Sequence, residues 1–493
     1  MADRKYIPIP RACPSILIYG EVTGLITADP GLPRSNPTPS YWQHVPHPLA
    51  STQSASLPNH TDYAVIGSGI TGLSVALTLL ESDLSATVTV LEARTLCSGA
   101  TGRNGGQLAA NAGEEYLHLA RVHGAERAGQ IVRFTLRNLE RMRDLVNKYA
   151  PDASELQDVQ KLRVFQTPDT FADFEESIAA LERDHPSLEG LYTIISTEQL
   201  KEEYKMDGAG GALLRAGTVW PYRLITQTFA SLLEKYPSRL SIETNTPVTG
   251  VDVDSSSGYT VQTSRGSLRA GKIAYCTNGY TGHLLPRLRG PIFPFKGTMT
   301  VQDPGPNTRN CGKEISWGFH YPAVYDETSN IYSGGLYYLL QSARTGYFYF
   351  GGEHTKIENG LSSDDTEVDE GSIAQLREKL ARFLGEDRSR EPWAVVSAWS
   401  GVMGFSADGL PVVGRLPASV TEREGEGEYI AAAFNGYGMP NCLLCGETLA
   451  RFMMGKNEVV QLPEAYGINE DRLKNLLTVE NSVGYFTVNS STN

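Results

Sequence analysis

Three things are scarce in this chain of 493 residues. The first is cysteine: Cys13, Cys97, Cys276, Cys311, Cys442 and Cys445 are too few and too scattered for a disulfide scaffold, and they suit a reducing compartment. The second is positive charge. Lysine and arginine number 43 against 56 aspartates and glutamates, a net charge of −13. A nucleic-acid backbone or an anionic membrane needs a basic face, so neither is the expected partner. The third is long apolar runs. Nothing approaches the roughly 20 uninterrupted apolar residues of a membrane helix. Pro8, Pro10 and Pro14 break the place where a signal peptide would carry its apolar stretch, and the Ser-Thr-Asn ending is not a peroxisomal signal. A cytoplasmic protein acting on small molecules is the expectation.

What is present is ordinary globular composition, 40% hydrophobic and 20% charged, with length for two or three domains. Residues 1–60 are dense in Pro, Ser, Thr and His, which blocks helix and central strand alike. They read either as a flexible tail or as an extended arm pinned by Tyr41 and Trp42. From Thr61 the texture changes. The β-branched run DYAVIGSG reads as a buried parallel strand, and ITGLSVALTLLES follows with Leu73, Leu77 and Leu80 at helical spacing. The segment ATVTVLEA is a second strand, completing a βαβ unit that opens a doubly wound sheet. Further on, the pattern predicts helices over 113–150, within DTFADFEESIAALERDH, and over 366–386. Strands are expected at KLRVFQT, 240–244, 248–254, 259–264, 272–276 and 428–434, and a helix from about 442. The alternating run YFYF at 347–350 sends Tyr347 and Tyr349 to one strand face, where they either line a pocket or cover a sheet.

Gly67-Ser68-Gly69-Ile70-Thr71-Gly72 fits G-x-G-x-x-G between a strand and a helix, the setting a dinucleotide-binding fingerprint requires. Gly67 allows the tight turn, Gly69 lets the backbone approach a pyrophosphate, and Gly72 lets the helix pack closely on the strand. The helix N-terminus offers unpaired N–H groups to the phosphates. Glu92 ends the second strand about 20 residues after the last glycine, where an acid binds a ribose diol.

The segments VIGSGITGLSVALTLL, VLEAR and CSGATGRNGGQL resemble the D-amino-acid oxidase family of flavoproteins. So do GTVWPYRLITQTFASLL, IAYCTNGYTGHLLP, WSGVMGFSADGLPVVG and YIAAAFNGYGMPNCLLCGETLA, and together they span most of 62–455. The resemblance implies an α/β fold (α+β overall): a discontinuous Rossmann-like FAD-binding domain over 61–112, 215–287 and 396–455. A substrate-binding cap with a mixed or antiparallel sheet would occupy 113–214 and 288–395, flanked by the arm 1–60 and an extension 456–493. It implies noncovalent FAD, with Glu92 on the adenosine ribose and Ala93 and Arg94 nearby. Ser98, Ala100, Thr101, Arg103, Asn104, Gly105 and Gly106 would run past pyrophosphate and flavin, Arg103 and Asn104 as donors. Val248 would meet adenine, and Thr277, Asn278 and Gly279 would end a strand at the ligand edge. Asp408 and Gly409 would sit in a turn near the cofactor. Gly436, Tyr437, Gly438 and Met439 would precede a helix facing the flavin, whose dipole stabilises negative charge there.

For chemistry, the resemblance implies an amine oxidised at its C–N bond by hydride transfer to flavin N5, giving an imine, with O2 as acceptor and hydrogen peroxide as product. Lys296, His354, Tyr437 and Tyr349 are the candidate catalytic residues: Lys296 and His354, with Lys356 beside it, as cations near the site of oxygen reduction, and Tyr349 also as a pocket residue. Two carboxylate clamps of family members have no counterpart here: Trp399–Phe405 holds no arginine, and Gly438 is followed by Met439 and Pro440 rather than lysine. That favours a larger or less acidic amine, as in the γ-glutamylputrescine-oxidising group, unless Arg163, Arg223 or Arg344 supplies a relocated clamp. Cys97 is the one thiol beside the flavin loop, and Cys442 and Cys445 read as buried structural thiols. The competing readings are a flavin-dependent dehydrogenase or oxidative cyclase, a non-catalytic flavin-binding protein, and a NAD-dependent dehydrogenase.

Overall fold

The computed structural model describes residues 16–254, 258–326, 328–384, 393–456 and 462–487. Among them, the strands form two sheets, of eight and ten strands. The first begins at His60–Ile66, whose last four residues are buried, as a parallel strand covered on both faces must be. It pairs in parallel with Gly266–Tyr275 on one side and Val88–Leu91 on the other. Glu428–Ala432 and Leu240–Glu243 extend the parallel array outward, and Val412–Arg415 closes one edge antiparallel. The antiparallel pair Val248–Asp254 and Gly258–Thr263 is attached to Gly266–Tyr275. Helices Ile70–Ser82, Cys442–Met453, Ala125–Tyr149 and Pro221–Lys235 pack against one another beside this sheet. This is a Rossmann-like dinucleotide-binding arrangement.

The second sheet runs Ala394–Ser406, Ile292–Asp303, Phe348–Lys356, Ile331–Gln341, Ile315–His320, Gln157–Phe165, Gly210–Thr218 and Gln107–Leu108. Its neighbours are antiparallel except for the parallel pair Ile315–His320 and Gln157–Phe165, so the sheet is mixed. Helix Glu370–Phe383 packs on Phe348–Lys356. The strand Ala394–Ser406 runs in this sheet although most of it falls in a segment expected with the nucleotide domain. Conversely, helix Ala125–Tyr149 lies in the expected cap segment but packs on the helices of the first sheet.

Both flanking extensions are built into the fold as far as they are described. Residues 13–29 hold only Pro14, and the apolar stretch after it forms helix Ile16–Thr27, a local exception to the proline-rich texture. Trp42 anchors the arm: its indole N–H donates to the Asn104 carbonyl at 2.6 Å, and its ring stacks on Tyr349 with centroids 4.2 Å apart. Near the other end, helix Val479–Thr487 packs against Ile16–Thr27.

Candidate functional site

The glycine loop forms because its backbone takes conformations other residues resist. Gly67 has φ 108°, and a Cβ at Gly72 would stand 1.9 Å from the Gly67 carbonyl oxygen. Helix Ile70–Ser82 starts without a side-chain cap at Gly69, and only the Ile70 N–H meets a side chain, the Thr101 hydroxyl at 3.0 Å. An uncapped first turn at the carboxyl edge of a parallel sheet is a phosphate cradle. Glu92 is buried beside it and accepts from the Ser68 N–H at 3.1 Å, the Ser68 hydroxyl at 2.7 Å and the Arg94 N–H at 3.0 Å.

From this cradle a cavity of about 530 Å³ extends between the two sheets. Gly67, Gly69, Ile70, Thr71, Glu92, Ala93 and Arg94 line one end. Ala100, Thr101, Arg103, Asn104, Gly105 and Gly106 line its length, as do Val248, Thr277 and Asn278. Gly409 and the run Gly436, Tyr437, Gly438 and Met439 complete the contribution of the first domain. These residues fit FAD: an uncapped helix start for the pyrophosphate, an acid for the ribose, and a wall of small residues for a flat ring system.

Several expected residues stand elsewhere. Gly72 and Ser98 lie behind the wall, the Ser98 carbonyl accepting from Arg94 and Arg103. Gly279 faces the Met403 carbonyl, which a Cβ there would meet at 2.5 Å. Asp408 is outside the cavity, paired with Arg472 at 2.8 Å. Arg103 lines the wall, but its guanidinium N–H groups donate to the carbonyls of Ser98, Thr38 and Ser400 at 2.8–2.9 Å. It shares buried Asp365 with Arg94, which lies 2.8 Å from that carboxylate. Arg103 therefore ties the loop to the arm and to the second sheet rather than presenting a free fork. Asn104 also turns inward, donating to Thr101 and accepting from the Gly106 N–H.

The expected catalytic set is corrected further. Lys296 lies outside the cavity because its strand neighbours Phe295 and Gly297 face it, and alternate residues point to opposite sides. Burial lowers its pKa, opposed by Asp364, Glu367 and nearby acids. His354 bonds the Ser333 hydroxyl at 2.7 Å away from the cavity, and Lys356 also lies outside it. Tyr349 is sealed under Trp42 in the core. Tyr437 does line the cavity. Of the arginines considered as clamps, Arg163 lines the cavity, while Arg223 and Arg344 pair with Glu155. Cys97 is buried outside the lining. Cys445 is core, and Cys442, also buried, borders the cavity with its thiol pushed up to about 12 by burial.

The second sheet supplies what local motifs did not reveal. Lys161 and Arg163 share one face of strand Gln157–Phe165. The Lys161 ammonium donates to the Gln107 amide oxygen; Arg163 pairs with Glu114 and donates to the Ala110 carbonyl at 2.6 Å. Burial, with Arg163 alongside, lowers Lys161 to about 7. Burial raises Glu114 to about 7, against the pull of Arg163. His118 also lines the cavity and is held near 4 by burial, with His123 and Arg121 adding to it. Tyr338 covers Gly105, and Phe295, Phe405, Tyr332, Tyr485 and Phe486 make an aromatic wall. The signal available in the sequence was KLRVF itself, two cations alternating within an otherwise apolar strand.

The comparisons agree with this geometry. A curated relative, gamma-glutamylputrescine oxidoreductase of Escherichia coli K12, is 24% identical over 402 residues, covering 80% of this chain and 84% of the relative. The solved glycine oxidase of Geobacillus kaustophilus superposes with TM-score 0.64 at 17% identity, covering 84% of this chain and 99% of that one. L-proline dehydrogenase from P. horikoshii superposes at 0.60 with 19% identity, over 83% and 97%. The profile of FAD dependent oxidoreductases, DAO, matches residues 62–452, from the strand that opens the glycine loop to the helix that closes the cavity. With that match spanning both sheets and every wall of the cradle, the chain belongs to the DAO family of FAD-dependent oxidoreductases.

Proposed function

We propose that the chain oxidises the C–N bond of a small-molecule amine to an imine, with O2 as the terminal acceptor and hydrogen peroxide as its product. The supporting observation is one cavity that joins the dinucleotide cradle to a buried, mixed-charge and aromatic chamber. Noncovalently bound FAD supplies the two-electron acceptor. Gly67 and the start of helix Ile70–Ser82 hold its phosphates, Glu92 its ribose. The helix beginning at Cys442 directs positive dipole toward the Gly436–Met439 wall.

The chamber's own residues prepare the amine. An ammonium holds no lone pair and is not oxidised, so the substrate must lose a proton. Apolar and aromatic surroundings favour the neutral amine. Lys161, lowered to about 7, takes up and releases a proton near neutrality, which suits it to receive the proton that the substrate gives up. Arg163 pairs with Glu114 and stands beside Lys161 on the same strand face. The missing clamps at 399–405 and 439–440, with cavity-lining Arg163 engaged by Glu114 and the Ala110 carbonyl, support an amine other than a small α-amino acid.

The test is the visible spectrum of the purified protein before and after acid precipitation, followed by an anaerobic amine screen. Two flavin bands that pass into the supernatant and bleach with an amine, with peroxide formed on readmission of air, are the expected result. Bleaching without peroxide makes the enzyme a dehydrogenase or cyclase. A flavin that no amine bleaches overturns the catalytic reading.

A further inference from the structure

Helix Tyr116–His123 begins on the second-sheet side of the cavity. Gln107–Leu108 pairs with Gly210–Thr218, and Glu114 pairs with Arg163 of strand Gln157–Phe165, so residues 107–115 follow that sheet and not the nucleotide cradle. Asn111, Glu115 and His118 line the cavity there. Glu115 stands just before the helix and His118 three residues on, so their side chains are neighbours on one face. One Glu115 oxygen accepts from the Asn111 amide at 3.3 Å. The other has no hydrogen-bond partner among the described residues, and it remains accessible. Both ring nitrogens of His118 are in the same condition. Held near 4 by burial, His118 is neutral and offers one acceptor nitrogen. Among the described residues no cation pairs with Glu115: Arg163 is taken by Glu114 and the Ala110 carbonyl, and Lys161 by the Gln107 amide. Burial raises the Glu115 pKa, opposed by the Asn111 bond and by Arg163 at longer range. A carboxylate in a closed site costs stability until a cation answers it. FAD brings none, since its phosphates are anionic and its ring system is neutral.

We propose that Glu115 and His118 hold a second, unreacting cation of the substrate. The Glu115 carboxylate pairs with that cation, and the His118 imidazole accepts one of its N–H bonds. The substrate class is then a diamine, oxidised at one nitrogen and anchored by the other. The inference rests on the reading of this cavity as the amine-oxidising site and names what lies at its far end. The two missing clamps agree with it, since a cationic end group calls for an acid where a carboxylate would call for arginine. Enclosure makes the pairing selective, because a charge pair is stronger away from bulk water than at an open surface.

Binding can be tested without turnover. Benzamidine and benzamide share a shape and differ in charge, and neither carries a hydrogen on the carbon that bears nitrogen, so neither is oxidised. Both are titrated into the FAD-loaded full chain, and binding is read from perturbation of the visible flavin bands. The unaltered protein is expected to bind benzamidine about tenfold more tightly than benzamide, or more, as one charge-assisted contact predicts. Glu115→Gln keeps an acceptor for Asn111 and removes the charge. In it the benzamidine affinity falls about tenfold or more, while that for benzamide changes by about twofold or less. Unchanged flavin content and melting temperature establish that the variant is folded, and the preference of the unaltered protein is a test that needs no variant. In turnover, the same substitution lowers kcat/KM for 1,5-diaminopentane about tenfold relative to pentylamine. Equal losses for the two amines put Glu115 at the reacting nitrogen and overturn the proposal. Equal binding of benzamidine and benzamide by the unaltered protein, or no perturbation by either, overturns it as well. An amine screen that bleaches no flavin overturns the catalytic reading and leaves the benzamidine contrast to be read independently.

Discussion

Single atoms decide much of this site. At Gly72 the available space is set by backbone, since a methyl group would meet the Gly67 carbonyl oxygen at 1.9 Å. Gly72→Ala therefore displaces the loop from the helix, at about 1–3 kcal/mol or more. Flavin content per protein and the denaturant midpoint should fall together, and a variant that keeps both would show that the loop has room to shift. Lys161 gives a pH prediction. Its folded pKa of about 7 lies below the ordinary lysine value of 10.5, so between these values the unfolded chain holds a proton that the folded chain has released. Stability from this group therefore rises with pH from about 7 to 10.5, and the cost of burying the charge is greatest below 7. Lys161→Met should flatten that rise. If Lys161 is the proton acceptor, kcat/KM also climbs through about pH 7 in the unaltered enzyme and loses that inflection in the variant. Glu114 has the opposite sign: its raised pKa makes its contribution fall as pH increases from 4.5 to about 7, so the two effects occupy adjacent windows.

At the level of elements, the N-terminal arm acts as a brace across the junction of loop and second sheet. Trp42 bonds the loop carbonyl of Asn104 and stacks on Tyr349, while its own carbonyl accepts from the Trp220 indole at 2.8 Å. Thr38 extends the brace through its bonds to Arg103 and Asp365. Trp42→Ala removes a ring that is 3% exposed and should cost about 3–5 kcal/mol. Because the ring touches the flavin loop and not a distant surface, faster FAD loss on dilution should accompany the lower melting temperature. A variant that melts early but retains FAD as tightly would separate the arm from the cofactor. Prolines and a Tyr-Trp pair left the sequence open between a flexible tail and an anchored arm, and the contacts of Trp42 decide for the arm. Its attachment points were not legible in the sequence, because Asn104, Tyr349 and Trp220 are distant in the chain and each is an ordinary residue in its own segment.

For the whole molecule, the cavity lies between two sheets, so a ligand that fills it links them. Added FAD should raise the unfolding free energy by about 2.7 kcal/mol at a free concentration one hundred times Kd, whereas NAD should leave it unchanged. Thermal melting of cofactor-depleted protein checks both, and stabilisation by NAD in place of FAD would be the contrary result. Among the described residues, no helix is long and apolar enough to cross a membrane. The glycine loop, Glu92 and the parallel strands around them were legible from sequence because phosphate binding needs a contiguous strand–turn–helix, and contiguous chemistry leaves a local pattern. The chamber was not. Lys161, Tyr338, Phe405 and Tyr485 come from four distant segments, and which of their neighbours face inward depends on strand register and on the packing of the termini. Lys296 shows the difference most plainly. Its type and position suited an oxygen-side cation, but one-residue alternation on its strand directs Phe295 and Gly297 to the cavity and Lys296 away from it. Sequence alone determined the cofactor and the fold that holds it; tertiary structure decided which side chains meet the substrate, because a sheet selects faces only once its strands are paired.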